Sequence, residues 1–255
     1  MAFEHLAKLG VSGLEIAPGR IAPWDQQTDI VQRNFRRHVE SFGLTVSSLQ
    51  AIFFGVDNIN LLEDTQSFKR MSEHMHKVGG LAQEIGASVA VFGAPRQRSK
   101  GTLTDDEAFR IGSERFAELA ETARQYDMII GLEPVPPYYN GDFLTTWQSV
   151  LQMVRFTRHD NLKVHLDTSC VMLGGGDIAE AVVTCAAELA HFHAAEPDLK
   201  DFQNPEADHK SAFKALQQIG YDKWVAVEML DSKAAGTDPL GTAAKYVMNI
   251  YCPEI

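Results

Sequence analysis

Cysteine is scarce in this sequence. There are three in 255 residues, Cys170, Cys185 and Cys252, with no CxxC pair and an odd count. That excludes a disulfide framework and suits a reducing compartment. Long apolar runs are also missing; none approaches the roughly 20 residues that a helical membrane span needs. The opening stretch MAFEHLAKLG has acidic and polar residues and no apolar h-region, so the expectation is no signal peptide, no membrane and a cytoplasmic location. Positive charge is in deficit, with 23 Lys and Arg against 34 Asp and Glu, a net charge of −11. A nucleic-acid groove neutralises phosphates with Lys and Arg, so this balance argues against a nucleic-acid partner. No linker or low-complexity stretch interrupts the chain, and a single domain over residues 1–255 is expected.

What is present is a rhythm. Short apolar runs bounded by Gly or Pro recur at 13–17 (GLEIA), 45–53 (TVSSLQAIF), 88–93 (SVAVFG), 128–133 (MIIGLE), 162–167 (LKVHLD), 190–193 (AHFH) and 224–229 (WVAVEM). Between them lie stretches of helical period. SFKRMSEHMHKVGGLAQEIGA and DDEAFRIGSERFAELAETARQYD are the clearest, the first with Gly86 placed as a C-cap. Strand starts separated by about 30 to 40 residues match one βα unit. Strands alternating with helices imply a parallel sheet covered on its faces, hence the α/β class. The seven runs fall one short of a (β/α)8 TIM barrel. The chain opens on a helical stretch, AFEHLAKLG, that reads as the first helix of a barrel lacking its N-terminal strand 1.

The ends of four strands draw attention. Pro134 removes a ladder donor and stops the fourth strand directly after Glu133. The next three end in Asp167, His193 and Glu228, at intervals of 34, 26 and 35 residues. In an α/β barrel the C-terminal strand ends meet on one rim, where active sites are built. Period-2 alternation then turns Gly131, His165, His191 and Ala226 inward one layer below, and the apolar Leu132, Leu166, Phe192 and Val227 outward to the helices. Three carboxylates and an imidazole make a hard, oxygen-rich set suited to one divalent cation, Mn2+ first, with Mg2+ or Co2+ as alternatives. Polar strand ends of no common purpose remain the plainer explanation of any one of these residues taken alone, and the acids alone also serve acid/base work.

With GLEP at Glu133, HLDT at Asp167, HFHAAE at His193 and Glu196, and IGYDKWVAVEM ending at Glu228, the whole chain resembles the sugar phosphate isomerase/epimerase family of xylose-isomerase-like TIM barrels. That family includes ketose 3-epimerases, hydroxypyruvate isomerase and inosose dehydratase. The resemblance implies one divalent cation held by Glu133, Asp167, His193 and Glu228, with Glu133 and Glu228 doubling as acid/base groups on opposite faces of a small sugar-derived substrate. It also implies a homodimer or homotetramer as plausible assemblies. The chemistry is proton transfer next to a carbonyl, in which a cation chelating carbonyl and hydroxyl would stabilise enediolate charge. Return of the proton with inversion is epimerisation, and return to the neighbouring carbon is isomerisation. Rival readings are a lyase of the inosose dehydratase kind, a nuclease like endonuclease IV, and a non-catalytic sugar- or metal-binding barrel. The nuclease would need a multi-zinc, histidine-rich cluster and a basic face, which this acidic chain does not offer.

The pattern departs from the ketose 3-epimerases where they carry a histidine, a glutamate and an arginine, and this chain has Cys170, Tyr139 and Leu199. Contacts to substrate hydroxyls are expected to differ accordingly. Glu196 follows the family pattern as a substrate contact. Gln50, Cys170, His209 and Tyr139 are further candidates, each with a structural alternative: Gln50 and Glu15 as hydrogen-bonding partners, Cys170 as a packing residue, His209 as a ligand-side partner of Glu228 or a surface residue. Arg96 and Arg98, in GAPRQR, stand where a phosphate or carboxylate would be bound, or as solvated loop cations. Tyr138, Tyr139 and Phe143 would cover the mouth or pack the loop. The run GGG at 174–176 forms a possible anion nest, without the context of a dinucleotide site.

Overall fold

The computed structural model of the protein describes residues 2–252. Seven parallel strands follow one another around a nearly closed barrel in sequence order. They are β1 (Gly13–Ile16), β2 (Thr45–Leu49), β3 (Val89–Phe92), β4 (Ile129–Leu132), β5 (Leu162–Asp167), β6 (Leu189–Ala195) and β7 (Val225–Glu228). Helices α1 (Ala2–Lys8), α2 (Asp29–Glu40), α3 (Thr65–Ile85), α4 (Asp105–Arg124), α5 (Trp147–Thr157), α6 (Thr168–Leu173), α7 (Ile178–Thr184), α8 (His209–Gln218) and α9 (Pro239–Tyr251) cover the outside. The helix boundaries follow local chemistry. Asp64 caps the first amides of α3, Gly86 ends it in the left-handed region at φ 87°, and Thr104 with Glu107 forms a capping box on α4.

All seven expected strands form, with shifted ends. The run expected over 45–53 stops at Leu49, because Ala51 takes φ 51° and the chain turns outward. The strand expected to end at His193 continues to Ala195, which pairs with Glu228. Asp167 lies opposite His193 and His165 opposite His191, so the inward register holds across β5 and β6. That register requires an irregularity between Val164 and His165, and a second one falls between Leu14 and Glu15 on β1. Bulges of this kind re-aim side chains near barrel rims.

Among the described residues no strand lies between β7 and β1. The seam holds a cavity of about 490 Å3 walled by Leu14, Val225, Val227, Val247 and neighbours, with Glu15, Ser47 and Gln50 among its polar lining. It is bridged from outside rather than filled. His5 on α1 meets Asp238 before α9 at 2.9 Å, and the Trp224 ring covers Gly13, where a methyl group would come within 2.7 Å of it. Among the described residues, no helix is long and apolar enough to cross a membrane.

Candidate active site

Glu133, Asp167, His193 and Glu228 converge at the C-terminal end of the barrel, each offering a ligand atom, all within 4.8 Å of one another. Each is delivered by a different device. Glu133 follows β4 and is tied to β3 by its own N–H, which donates to the Phe92 carbonyl at 3.2 Å. Its carboxylate fills the space over Gly93, and any Cβ there would collide with Glu133 Oε2. Asp167 ends β5 and caps α6: its Oδ1 accepts the Cys170 N–H at 2.7 Å, while Oδ2 is buried without a hydrogen-bond partner. Helix α6 is in turn fastened to β6, since the Thr168 hydroxyl donates to the Ala195 carbonyl at 2.6 Å and accepts from its N–H at 2.9 Å. His193 Nδ1 lies 3.3 Å from Glu228 Oε2 and 3.7 Å from Asp167 Oδ2. Glu228, on the edge strand, has the most accessible of these side chains, 22% exposed.

The electrostatics suit a cation. Burial, then the neighbouring Glu228 and Asp167 charges, hold Glu133 well above the usual carboxylate range. Burial and Glu228 push Asp167 up to about 7. Carboxylates crowded in a dry site repel one another and retain protons until a cation offsets them. The unpartnered Asp167 Oδ2 and the crowded carboxylates together fit a hard divalent ion.

One layer down, the inward set appears as expected. Gly131 makes room for His165, whose Cβ would lie 3.2 Å from a methyl at that position. The His165 and His191 rings stack at 5.2 Å between centroids, and the His193 ring stands edge-on to His165 at 4.1 Å. His165 Nε2 is 3.5 Å from Glu133 Oε1, and neither of its ring nitrogens has a hydrogen-bond partner. Burial and the adjacent histidines depress its basicity. Glu15, one of the inward polar candidates, proves central. It reaches across the seam with Oε2 2.8 Å from His191 Nε2 and Oε1 2.7 Å from His193 Nε2, and the Ser48 hydroxyl donates to Oε2 at 2.7 Å.

The other candidates scatter. Glu196 is 1% exposed, and its carboxylate accepts the N–H groups of Glu206 and Ala207 and faces His209 Nε2 at 2.7 Å. His209 Nδ1 meets the Tyr251 hydroxyl at 2.8 Å. Both ring nitrogens are thus engaged, so His209 is a buried brace of the loop after β6 and neither a surface residue nor a partner of Glu228. Arg98 is neither a solvated cation nor free at the rim. At 1% exposure its guanidinium is directed to the carbonyls of Phe92 and Leu144 at 3.4 Å, and burial lowers its pKa to about 10 despite the nearby Glu133 charge. Tyr139 donates or accepts at the Ser169 hydroxyl (3.0 Å) and accepts the Asp198 N–H (2.9 Å), and burial pushes its phenol up to about 12. Cys170 is buried on α6 just beyond Asp167, its thiol pushed well up by burial and then by Asp167. Gln50 follows the end of β2 and lines the seam cavity. Tyr138 is 55% exposed and donates to Asp198 Oδ1, whereas Phe143 is buried against Gly112 of α4. Sequence reading did not single out Gly93, and the signal available was its place at the tip of a strand beside Glu133.

The family described as xylose isomerase-like TIM barrel matches residues 3–249. A ketose 3-epimerase of Arthrobacter globiformis is 25% identical over 178 residues, covering 69% of this chain and 61% of that protein. The chain spans about half to three-fifths of the length of the curated relatives it matches first. A D-psicose 3-epimerase from Clostridium cellulolyticum, solved with D-tagatose, superposes with a TM-score of 0.78 at 21% identity, covering 98% of this chain and 85% of that one. The IOLI protein, solved with a zinc atom, superposes with a TM-score of 0.77 at 17% identity, covering 100% and 93%. These structural likenesses establish the fold.

Proposed function

This chain belongs to the xylose isomerase-like TIM barrel family, and on that premise we propose that it is a divalent-cation-dependent epimerase or isomerase of a sugar or sugar derivative, working as one barrel domain. The observation that carries the reading is the convergence of three carboxylates and an imidazole within 4.8 Å at the rim. Glu133, Asp167, His193 and Glu228 would hold the cation, which when bound supplies Lewis-acid polarisation of a substrate carbonyl and offsets the carboxylate charge. Mn2+ is the ion best matched to this donor set, and Mg2+ or Co2+ share its preference for oxygen. The zinc atom in the IOLI protein shows that a barrel of this fold accommodates a metal.

The chain's own groups carry the proton. Glu133 and Glu228 rise from β4 and β7, so the two carboxylates approach a bound molecule from separate strands. One removes the proton next to the carbonyl; the other returns a proton to the opposite face, or to the adjoining carbon. Tyr139 and Glu196 already commit their polar atoms to hydrogen bonds inside the protein, which favours a substrate with few hydroxyls to satisfy over a free ketohexose. Three free cysteines fit a cytoplasmic setting, and a homodimer or homotetramer is the proposed assembly.

Ketoses, hydroxypyruvate and inosose incubated with Mn2+-loaded protein in D2O provide the test. The expected result is deuterium incorporated next to the carbonyl without loss of water, reduced about 10^2- to 10^4-fold by Glu133→Gln or Glu228→Gln. Product lighter by one water would establish the dehydratase alternative. Absence of exchange with any of these compounds in a folded, metal-loaded protein would overturn the proposal in favour of a non-catalytic barrel.

A further inference from the structure

Glu15 carries a role that the four-residue cluster does not explain. It is an ionisable side chain only 4% exposed, contributed by β1 on the far side of the seam, and it touches two histidines of β6. We propose that Glu15 is a positioning residue for the metal site: its carboxylate holds the proton on His193 Nε2, so that Nδ1 is presented to Asp167 and Glu228. This rests on the metal reading of the cluster above.

The argument is geometric. An imidazole serves a cation through one bare nitrogen, and the partner of the other nitrogen decides which one that is. His193 Nδ1 faces the carboxylates of the cluster, at 3.3 Å from Glu228 and 3.7 Å from Asp167. Its Nε2 faces Glu15 Oε1 at 2.7 Å, a charge contact that lies off the N–H axis, whereas His191 Nε2 makes a formed hydrogen bond to Oε2 at 2.8 Å. An anion that close to Nε2 favours a proton there over a bare lone pair. Glu15 is itself fixed by the Ser48 hydroxyl at 2.7 Å, and the irregularity between Leu14 and Glu15 sets it opposite Ser48. The same carboxylate lines the seam cavity. This histidine is thus oriented from β1, beside the seam where, among the described residues, no strand joins β7 to β1.

The test combines Mn2+ titration of the metal-stripped protein with long-range 1H–15N spectra of the histidines, recorded metal-free and with diamagnetic Zn2+. In the wild type we expect one ion per chain, a solvent-shielded proton on His193 Nε2, and a Zn2+-induced shift confined to Nδ1. Glu15→Ala should weaken Mn2+ binding about 10- to 100-fold, the range of partners that orient metal-ligating histidines. Glu15→Gln, which keeps one acceptor oxygen and the side-chain volume, should lose less, and it decides the matter if the alanine variant does not fold. Equal affinity in folded variants and wild type, or a metal shift on Nε2, would overturn the role of Glu15. Two ions per chain would overturn it as well, by placing a second cation among His165, His191 and His193 where a proton is assigned. A wild type that binds no ion defeats the metal reading, and the proton on His193 Nε2 then decides the role of Glu15 alone.

Discussion

The closed wall of the barrel and its seam support the site by different means. On β4 and β5, strands with neighbours on both sides, the carboxylates are fixed by backbone: Glu133 by its N–H to Phe92 and the bare surface of Gly93, Asp167 by the amide of Cys170. On β7, which pairs with β6 alone among the described strands, every residue is half-buried and Glu228 has only side-chain company near its carboxylate. At the seam, contact passes through side chains throughout, with Trp224 over Gly13 and Glu15 against two histidines. The difference teaches that half of the site is built into the sheet and half is held by contacts that tolerate adjustment. That suits the proposed role of Glu228, the more accessible carboxylate, in moving a proton.

A matched pair of glycine substitutions would break or sharpen this contrast. Gly93→Ala places a methyl group against Glu133 Oε2, with the strand fixed beneath it. We expect Mn2+ affinity to fall by at least about 100-fold, read by calorimetry, with an overpacking cost of about 1–3 kcal/mol in thermal melts. Gly13→Ala meets the outer atoms of the Trp224 ring, which can swing aside; it serves as the small end of the series, and its expected change in affinity is less than about threefold. Equal effects at the two positions would show that seam and wall hold the site alike.

Between these lies the effect of pH. Asp167, pushed up to about 7, and Glu133, also raised, carry protons in the metal-free protein that a cation must displace. Their folded pKa values exceed the unfolded ones, so what they add to metal-free stability is present at low pH and lost as pH rises through the carboxylate range toward 7. The ion reverses that loss. Its affinity should rise as pH increases through about 7, by up to about tenfold per unit for each proton released. Titrations in buffers of different ionisation enthalpy would count those protons. Affinity independent of pH would contradict the crowding of the carboxylates.

Much of this was legible in the sequence, for physical reasons. Glu133 before Pro134, and the alternation His165–Asp167 and His191–His193, report a strand period that survives folding almost unchanged. The Gly86 cap marked the end of α3 because only a left-handed residue ends a helix that way at no strain. What stayed hidden depends on closure of the barrel or on loops. Glu15 meets His193 across 178 positions of sequence and a seam, where local pattern carries no information. Arg98 resembles a rim cation until the β3 loop folds it under Phe92 and Leu144. Glu196 and His209 look like free site groups until the loop after β6 turns back and joins them to each other.

The most direct test of the account is a calorimetric Mn2+ titration of metal-stripped protein with Glu228→Gln run beside it. The account predicts about one ion per chain in the wild type and clearly weaker binding in the variant. Saturable binding absent from a wild type shown to be folded would contradict it, leaving Glu133, Asp167, His193 and Glu228 as polar strand ends that share a rim without sharing an ion.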